Sequence, residues 1–197
     1  MKNLLKRTTP ILAVVAALSL GACMQSNAQT QTAQAPAPVM VGGQAMYPSK
    51  DIIDNAVNSA DHKTLVAAVK AAGLVQTLKG KGPFTVFAPT DAAFNALPAG
   101  TVPTLLKPEN KGKLTGVLTY HVVAGALTFD AIKAQIVAGG GKVVMKTVNG
   151  AALTASMNGP HNIVLTDAAG RTAHISTYDV IQSNGVIHVI DTVLLPG

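Results

Sequence analysis

LTGVLTYHVVAG, residues 114–125, is the stretch on which the reading of this chain turns. The segment leading into it, PENKGKLTGVL (108–118), opens with Pro and Glu, which suit the first turn of a helix. In TYHVVAG the β-branched residues take over and a strand is expected. Tyr120–His121 sits inside this apolar run. On a strand the two side chains would point to opposite faces. One of them would enter the core and would need a hydrogen-bond partner there. His121 therefore has three readings: a proton shuttle, a partner contact, or a polar group that supports the fold.

The shuttle reading fails on its neighbours. A hydrolytic histidine needs a nucleophile and an orienting acid within hydrogen-bond reach. No GxSxG occurs, and Asp91, Asp130, Asp179 and Asp191 fall in separate segments with local explanations of their own. No catalytic residue is assigned. The five histidines, His62, His121, His161, His174 and His188, show no metal-ligand spacing such as HExxH or His-x-His, so neither a metal nor a cofactor is expected. His188 in VIHVI alternates with Ile187 and Val189, and His174 in TAHIS behaves alike; both read as half-exposed strand residues. The run GGGK (139–142) lacks the spacing and the following Ser/Thr of a phosphate-binding loop and reads as a flexible connection.

Outward from the Tyr-His pair, helical patterns come first. SKDIIDNAVNSA (49–60) places Ile52, Ile53, Ala56 and Val57 on one helical face with Ser49 as a candidate cap. In DHKTLVAAVKAAGL (61–74), Asp61 can cap, Leu65, Val66 and Val69 form the stripe, and Gly73 can end the helix. PFTVFAP (83–89) reads as a short strand. In TDAAFNAL (90–97), Thr90 can cap and Asp91 complements the helix dipole. After a short helix in LTFDAIKAQI (127–136) come five strand candidates, 142–148, 151–157, 162–167, 172–181 and 185–195, punctuated by Asn-Gly and Gly-containing turns. Helices followed by strands indicate an α+β fold.

The N-terminus has a different character. Lys2, Lys6 and Arg7 precede a ten-residue apolar run, Ile11 to Leu20. That run is shorter than the roughly 20 residues a transmembrane helix needs, so residues 1–22 read as an export signal. LGAC (20–23) resembles a bacterial lipobox, which implies that Cys23, the only cysteine, is lipidated and becomes the mature N-terminus. Met24 after the cysteine implies outer-membrane sorting. The alternative is cleavage after Ala28 and a secreted or periplasmic product. Residues 23–46 are rich in Gln, Ala, Pro and Gly without charge or apolar periodicity, and are expected to form a flexible tether. Such a coil reaches on the order of 25 Å, at about 5–6 Å × √n. The folded domain is expected over 47–197.

The charge is +6, but three of the basic residues belong to the leader; without them twelve Lys and Arg face nine Asp and Glu, a net of +3. The remainder are scattered, which argues against nucleic-acid binding. With 48% hydrophobic residues the chain can bury a sizeable core.

Three segments, GPFTVFAPTDAAFNALP (82–98), LTGVLTYHVVAG (114–125) and NGVIHVIDTVLLP (184–196), together resemble the fasciclin domain family. The resemblance implies a β-sandwich-like wedge with helices packed along one side. It also implies a non-enzymatic role in cell adhesion or matrix and biofilm interaction, with an extracellular protein or glycan as partner and the membrane reached through Cys23. In animal members the Tyr-His motif and a later Asp-aliphatic pair bind partners; these match Tyr120, His121, Asp179 and Val180 here. Thr177 and Tyr178 stand where the animal motif has Glu and Pro. The alternative function is an envelope protein that binds a small apolar or glycan ligand.

Overall fold

The computed structural model describes residues 37–197. The expected export signal, the Cys23 lipidation site and most of the expected tether lie outside the described residues. Strands β1 (Val39–Val41) and β2 (Gln44–Met46) form an antiparallel hairpin. This corrects the boundary at residue 47: Val41 and Met46 are buried against the main core. Val41 and Met46, with Val39 packed beside them, dock the hairpin, although the composition around them is that of a linker.

Helices α1 (Ile52–Ala56), α2 (Lys63–Ala72) and α3 (Val75–Leu78) follow. Strand β3 (Phe84–Pro89) leads to α4 (Asp91–Asn95) and α5 (Thr101–Leu105). A 3-10 turn at Pro108–Asn110 opens α6 (Lys111–Tyr120), which passes into β4 (Val122–Ala124). Then come α7 (Phe129–Ala138) and strands β5 (Lys142–Lys146), β6 (Ala152–Met157), β7 (Ile163–Thr166), β8 (Thr172–Gln182) and β9 (Gly185–Ile190). Every segment expected as helix or strand over 83–195 contains an element of that type. The fold is α+β, as expected.

The seven-stranded sheet runs β4-β3-β9-β8-β7-β6-β5, antiparallel except for the β3–β9 pair. Its two edges nearly meet: Val123 bridges Thr147, and the Val148 N–H donates to the Val122 carbonyl at 2.7 Å. The two layers of the wedge thus belong to one sheet that bends back on itself. One core lies between β3/β9 and α1, α2, α4 and α6; Ile52, Leu65, Val86, Leu118 and Val189 belong to it. The other fills the interior of the bent sheet, with Phe87, Ile132, Leu153, Leu165 and Ile190.

Strands β3 and β9 separate these cores and are covered on both faces, which is why FTVFAP and GVIHVI read as continuous apolar runs. This corrects the reading of His188. It does alternate with Ile187 and Val189, but its face meets the second core, and it is fully buried beside Phe87. His174 lies on the exposed face of β8, near Asp191.

Local signals set the helix ends. Asp51, rather than Ser49, caps α1 by accepting from the Asp54 N–H at 2.7 Å, and Val57 is exposed. Thr90 caps α4 as expected. Gly73 ends α2 in the left-handed conformation, at φ 76°, which a side chain would strain. Asp61 does not cap α2; Asp91 does so from a distance, accepting the Thr64 N–H at 2.8 Å and the Lys63 N–H at 3.3 Å. Each such cap stabilises by about 1 kcal/mol. Where β3 and β9 begin, the backbones approach so closely that a Cβ on Gly185 would collide with the Phe84 carbonyl.

Candidate functional site

Helix α6 buries Leu114, Val117 and Leu118, the i, i+3, i+4 stripe of one face. It ends at Tyr120, and His121 is its C-cap rather than a strand residue. This corrects the expectation of opposite strand faces: at a helix terminus both side chains point inward, and both are buried. They enter different cores. The Tyr120 ring joins the interior of the bent sheet, where its hydroxyl donates to the Ala152 carbonyl at 2.8 Å. Burial raises the Tyr120 pKa.

His121 faces the other way. Its Nδ1 lies 2.8 Å from the Val117 carbonyl, and its Nε2 lies 3.1 Å from the Leu194 N–H. A carbonyl can only accept and an N–H can only donate. The ring is therefore the neutral tautomer protonated at Nδ1. Burial pushes its pKa down to about 4. A group held neutral with both nitrogens engaged has no proton left to shuttle. The His121 carbonyl accepts from the Phe87 N–H at 2.9 Å. One residue thus ties α6, β3 and the chain after β9.

Asp179 and Val180 occupy a bulge in β8, where the pairing with β9 slips. Asp179 is left-handed, at φ 53°, a conformation Asp tolerates better than most residues. Its carboxylate accepts the Phe129 N–H at the start of α7, at 2.7 Å. Its own N–H donates to Nδ1 of His188 at 3.3 Å, while Nε2–H of His188 donates to the Leu127 carbonyl at 2.7 Å. Burial lowers the His188 pKa. Val180 is buried and belongs to the first core with Val86 and Ile187. Tyr178 meets Phe129 edge to face, with centroids 4.9 Å apart. The two motifs do not form one site. Each anchors a loop or helix end through a buried histidine.

Behind His121 lies a cavity of about 60 Å³ between the helical layer and β3/β4. Its wall is almost wholly apolar, with Val66, Val69, Leu74, Phe84, Leu118 and Val122 contributing. Left empty, such a space costs roughly 1.5 kcal/mol at about 24 cal/mol per Å³. Nothing in the sequence signals it, because it arises from how α2, α3 and α6 splay over the sheet. A smaller cavity of about 30 Å³ lies under the β1–β2 hairpin, beside Val180 and His62.

Two polar hubs also escaped the sequence reading. Asn184 accepts the Ile52 N–H at 3.1 Å and donates to the carbonyls of Leu78 at 2.7 Å and Gly80 at 3.1 Å. Asp167, with its side chain wholly buried, accepts from the N–H groups of Ala169, Arg171 and Leu195 and from Nε of Arg171. The only sequence signals were the Asn-Gly turn for the first and the Asp-x-x-Gly-Arg turn for the second. Among the described residues no group of three or more His, Cys, Asp or Glu could hold a metal ion, and no helix is long and apolar enough to cross a membrane.

A bent, nearly closed mixed sheet with helices over one side is an α+β architecture that recurs in a solved FAS1 domain pair. The chain matches the Fasciclin domain family over residues 60–196 and belongs to it. It is 41% identical over 192 residues to the protein sll1483 of Synechocystis sp., covering 98% of this chain and 99% of that one. It is 35% identical over 195 residues to the cell surface glycolipoprotein MPB83 of Mycobacterium bovis, covering 96% of this chain and 77% of that one. The FAS1 domain pair of the insect cell adhesion molecule Fasciclin I superposes with a TM-score of 0.66 at 17% identity. The match covers 74% of this chain and 51% of that one, so the chain spans about half the pair.

Proposed function

We propose that this protein is an exported module, tethered to the cell surface or envelope through lipidated Cys23, that mediates adhesion or matrix and biofilm interaction by binding an extracellular protein or glycan. The observation that carries this reading is the near full-length likeness to a cell surface glycolipoprotein, 35% identical across 96% of this chain. The family membership and the cell-adhesion context of the superposed Fasciclin I pair support it. Tyr120, His121, Asp179 and Val180 influence partner binding by holding the surface in shape, since their polar atoms are engaged within the domain. The test is attachment and aggregation of cells with and without the domain, residues 39–197. Unchanged attachment after the deletion sinks the adhesion reading. Mass spectrometry of the mature N-terminus tests the anchor; an unmodified start at Gln29 rules it out.

A second reading, an envelope protein that binds a small apolar ligand, is favoured by one specific observation: the apolar cavity behind His121. Tight packing is the norm in domain interiors, and a space of this size, lined by side chains from four helices and two strands, has room for a short hydrocarbon segment.

A further inference from the structure

We propose that the cavity behind His121 binds a free single-chain fatty carboxylate, with its hydrocarbon tail inside and its head group on Lys70. The assignment rests on the second reading above, that this cavity takes an apolar ligand.

The tail follows from the wall. A trapped water needs two to four polar partners, and the lining offers almost none. His121 is the one polar ring that reaches the wall, and its two nitrogens are already held by Val117 and Leu194. What fills the space must therefore be hydrocarbon. The size restricts it further. About 60 Å³ lies far below the roughly 300 Å³ at which ring-bearing, drug-sized ligands begin. A few methylenes of one extended chain fit; a fused ring or a pair of acyl chains does not.

The head follows from the rim. With no polar anchor inside, the polar end of the ligand must stay where the wall meets solvent. Lys70, on α2, is the only charged residue of the lining, and no carboxylate accompanies it. It is exposed, and it makes no ion pair among the described residues. Its stem can lie along the apolar wall while the ammonium faces water, the usual disposition of lysine over hydrocarbon. Thr119 and Thr77 also line the space; the Thr119 hydroxyl donates within its own helix, to the Thr115 carbonyl at 2.7 Å, so its proton is already engaged. A lone cation with no acid beside it selects an anion over a neutral or cationic head. A carboxylate at the end of one chain is the compact anion that leaves the tail free to enter.

The test is calorimetric titration of the full chain, with Cys23→Ser so that no acyl group of its own competes, using decanoate, octanoate and decanol. Decanoate is expected to bind one to one and at least tenfold more tightly than decanol. Because the space takes only a few methylenes, octanoate is expected to bind within about fourfold of decanoate, the equivalent of about 0.8 kcal/mol for one buried CH₂. Lys70→Gln should bring decanoate to within about twofold of decanol while leaving decanol unchanged. Val69→Phe, which fills the space, should abolish binding of both. Should that variant fail to fold, nuclear Overhauser contacts between the decanoate methyl group and the methyls of Leu118 and Val122 locate the tail in the wild-type chain. If decanol and decanoate bind equally and Lys70→Gln changes neither, the carboxylate assignment fails while the apolar-ligand reading stands. If none of the three binds, both fail. Binding that survives Val69→Phe, or a tail with no contact to Leu118, places the ligand elsewhere and overturns the proposal.

Discussion

His121 and Leu194 are separated by 73 residues in the chain, yet the Leu194 N–H donates to Nε2 of His121 at 3.1 Å. The bond fixes the segment after β9 against the end of α6. Its loss would leave a buried N–H without a partner, and the freed Val117 carbonyl would be a second. Unsatisfied buried groups cost about 1–3 kcal/mol each, and removing the ring enlarges the adjoining cavity. His121→Ala is therefore expected to destabilise the domain by about 3–5 kcal/mol in urea unfolding. Amides of 192–196 should exchange faster than those of β9. A His121→Ala protein of unchanged stability that no longer binds a partner would refute the bracing role.

Stability should also depend on pH through the buried histidines. The folded pKa of His121 is about 4, below the ordinary value of 6.5. The unfolded chain therefore binds a proton between pH 6.5 and 4 that the folded chain refuses. Stability is full above pH 6.5 and falls as the pH drops to 4, by about 1.4 kcal/mol per pH unit for one such group. Burial also lowers the pKa values of His62 and His188, which add to the slope. Urea unfolding from pH 7.5 to 4 measures it. His121→Gln should make the slope shallower by close to one proton, and an unchanged slope would show that His121 does not titrate on unfolding.

The contrast between β9 and the Tyr-His pair shows how far the sequence could be read. Most strand and helix positions were legible, α3 and α5 excepted, because apolar spacing, caps and glycines act locally: Thr90 and Gly73 each do what their type predicts. Burial of His188 was not legible, since alternation tells which side of a strand a residue takes but not whether a second layer covers that side. Asp91 shows the same limit. Its place in the first turn of α4, complementing the helix dipole, was recognisable, but its capping of α2 is set by tertiary approach. The cavity and the Asn184 and Asp167 hubs join segments far apart in the chain, and no periodicity records such contacts. The hairpin at 39–46 was hidden because its docking depends on two side chains, Val41 and Met46.

Asp179 offers a separation of shape from charge. Its carboxylate accepts the Phe129 N–H while its backbone sits at φ 53°. Asn can accept the same bond and also tolerates the left-handed region, so Asp179→Asn should cost less than about 1 kcal/mol. Asp179→Ala loses the acceptor and strains the backbone, and should cost about 2–3 kcal/mol. Thermal melts of the two variants check this order. Partner binding that disappears in Asp179→Asn at full stability would instead make the carboxylate a direct contact.

Tyr120 should be sensitive to ring and hydroxyl in unequal measure. Its ring is fully buried in the second core, while the hydroxyl makes one bond, to the Ala152 carbonyl. Tyr120→Phe should cost about 1–2 kcal/mol, and Tyr120→Ala about 3–5 kcal/mol. Equal losses in denaturant unfolding would contradict a ring-dominated role.

Asp167 should govern a second acid transition, distinct from that of the histidines. Burial works against its charge, but the N–H groups of Leu195 and Arg171 and the Arg171 guanidinium outweigh it and hold the carboxyl below the usual carboxylate range. For a depressed carboxyl the stabilisation is complete above the unfolded value, about 3.9, and is lost as the pH falls through the folded one. Asp167→Asn keeps the shape but removes the charge that three N–H groups and a guanidinium share. The substitution should cost about 2–3 kcal/mol at neutral pH. It should also flatten the unfolding profile below about pH 4 while leaving the histidine slope above it intact. Because the Arg171 guanidinium also donates to the Leu195 carbonyl at 3.3 Å, the variant should loosen the last residues together with the turn at 167–171. Amide exchange at Leu195 reads this directly. Full protection there in Asp167→Asn would mean that His121, through Leu194, holds the C-terminal segment alone.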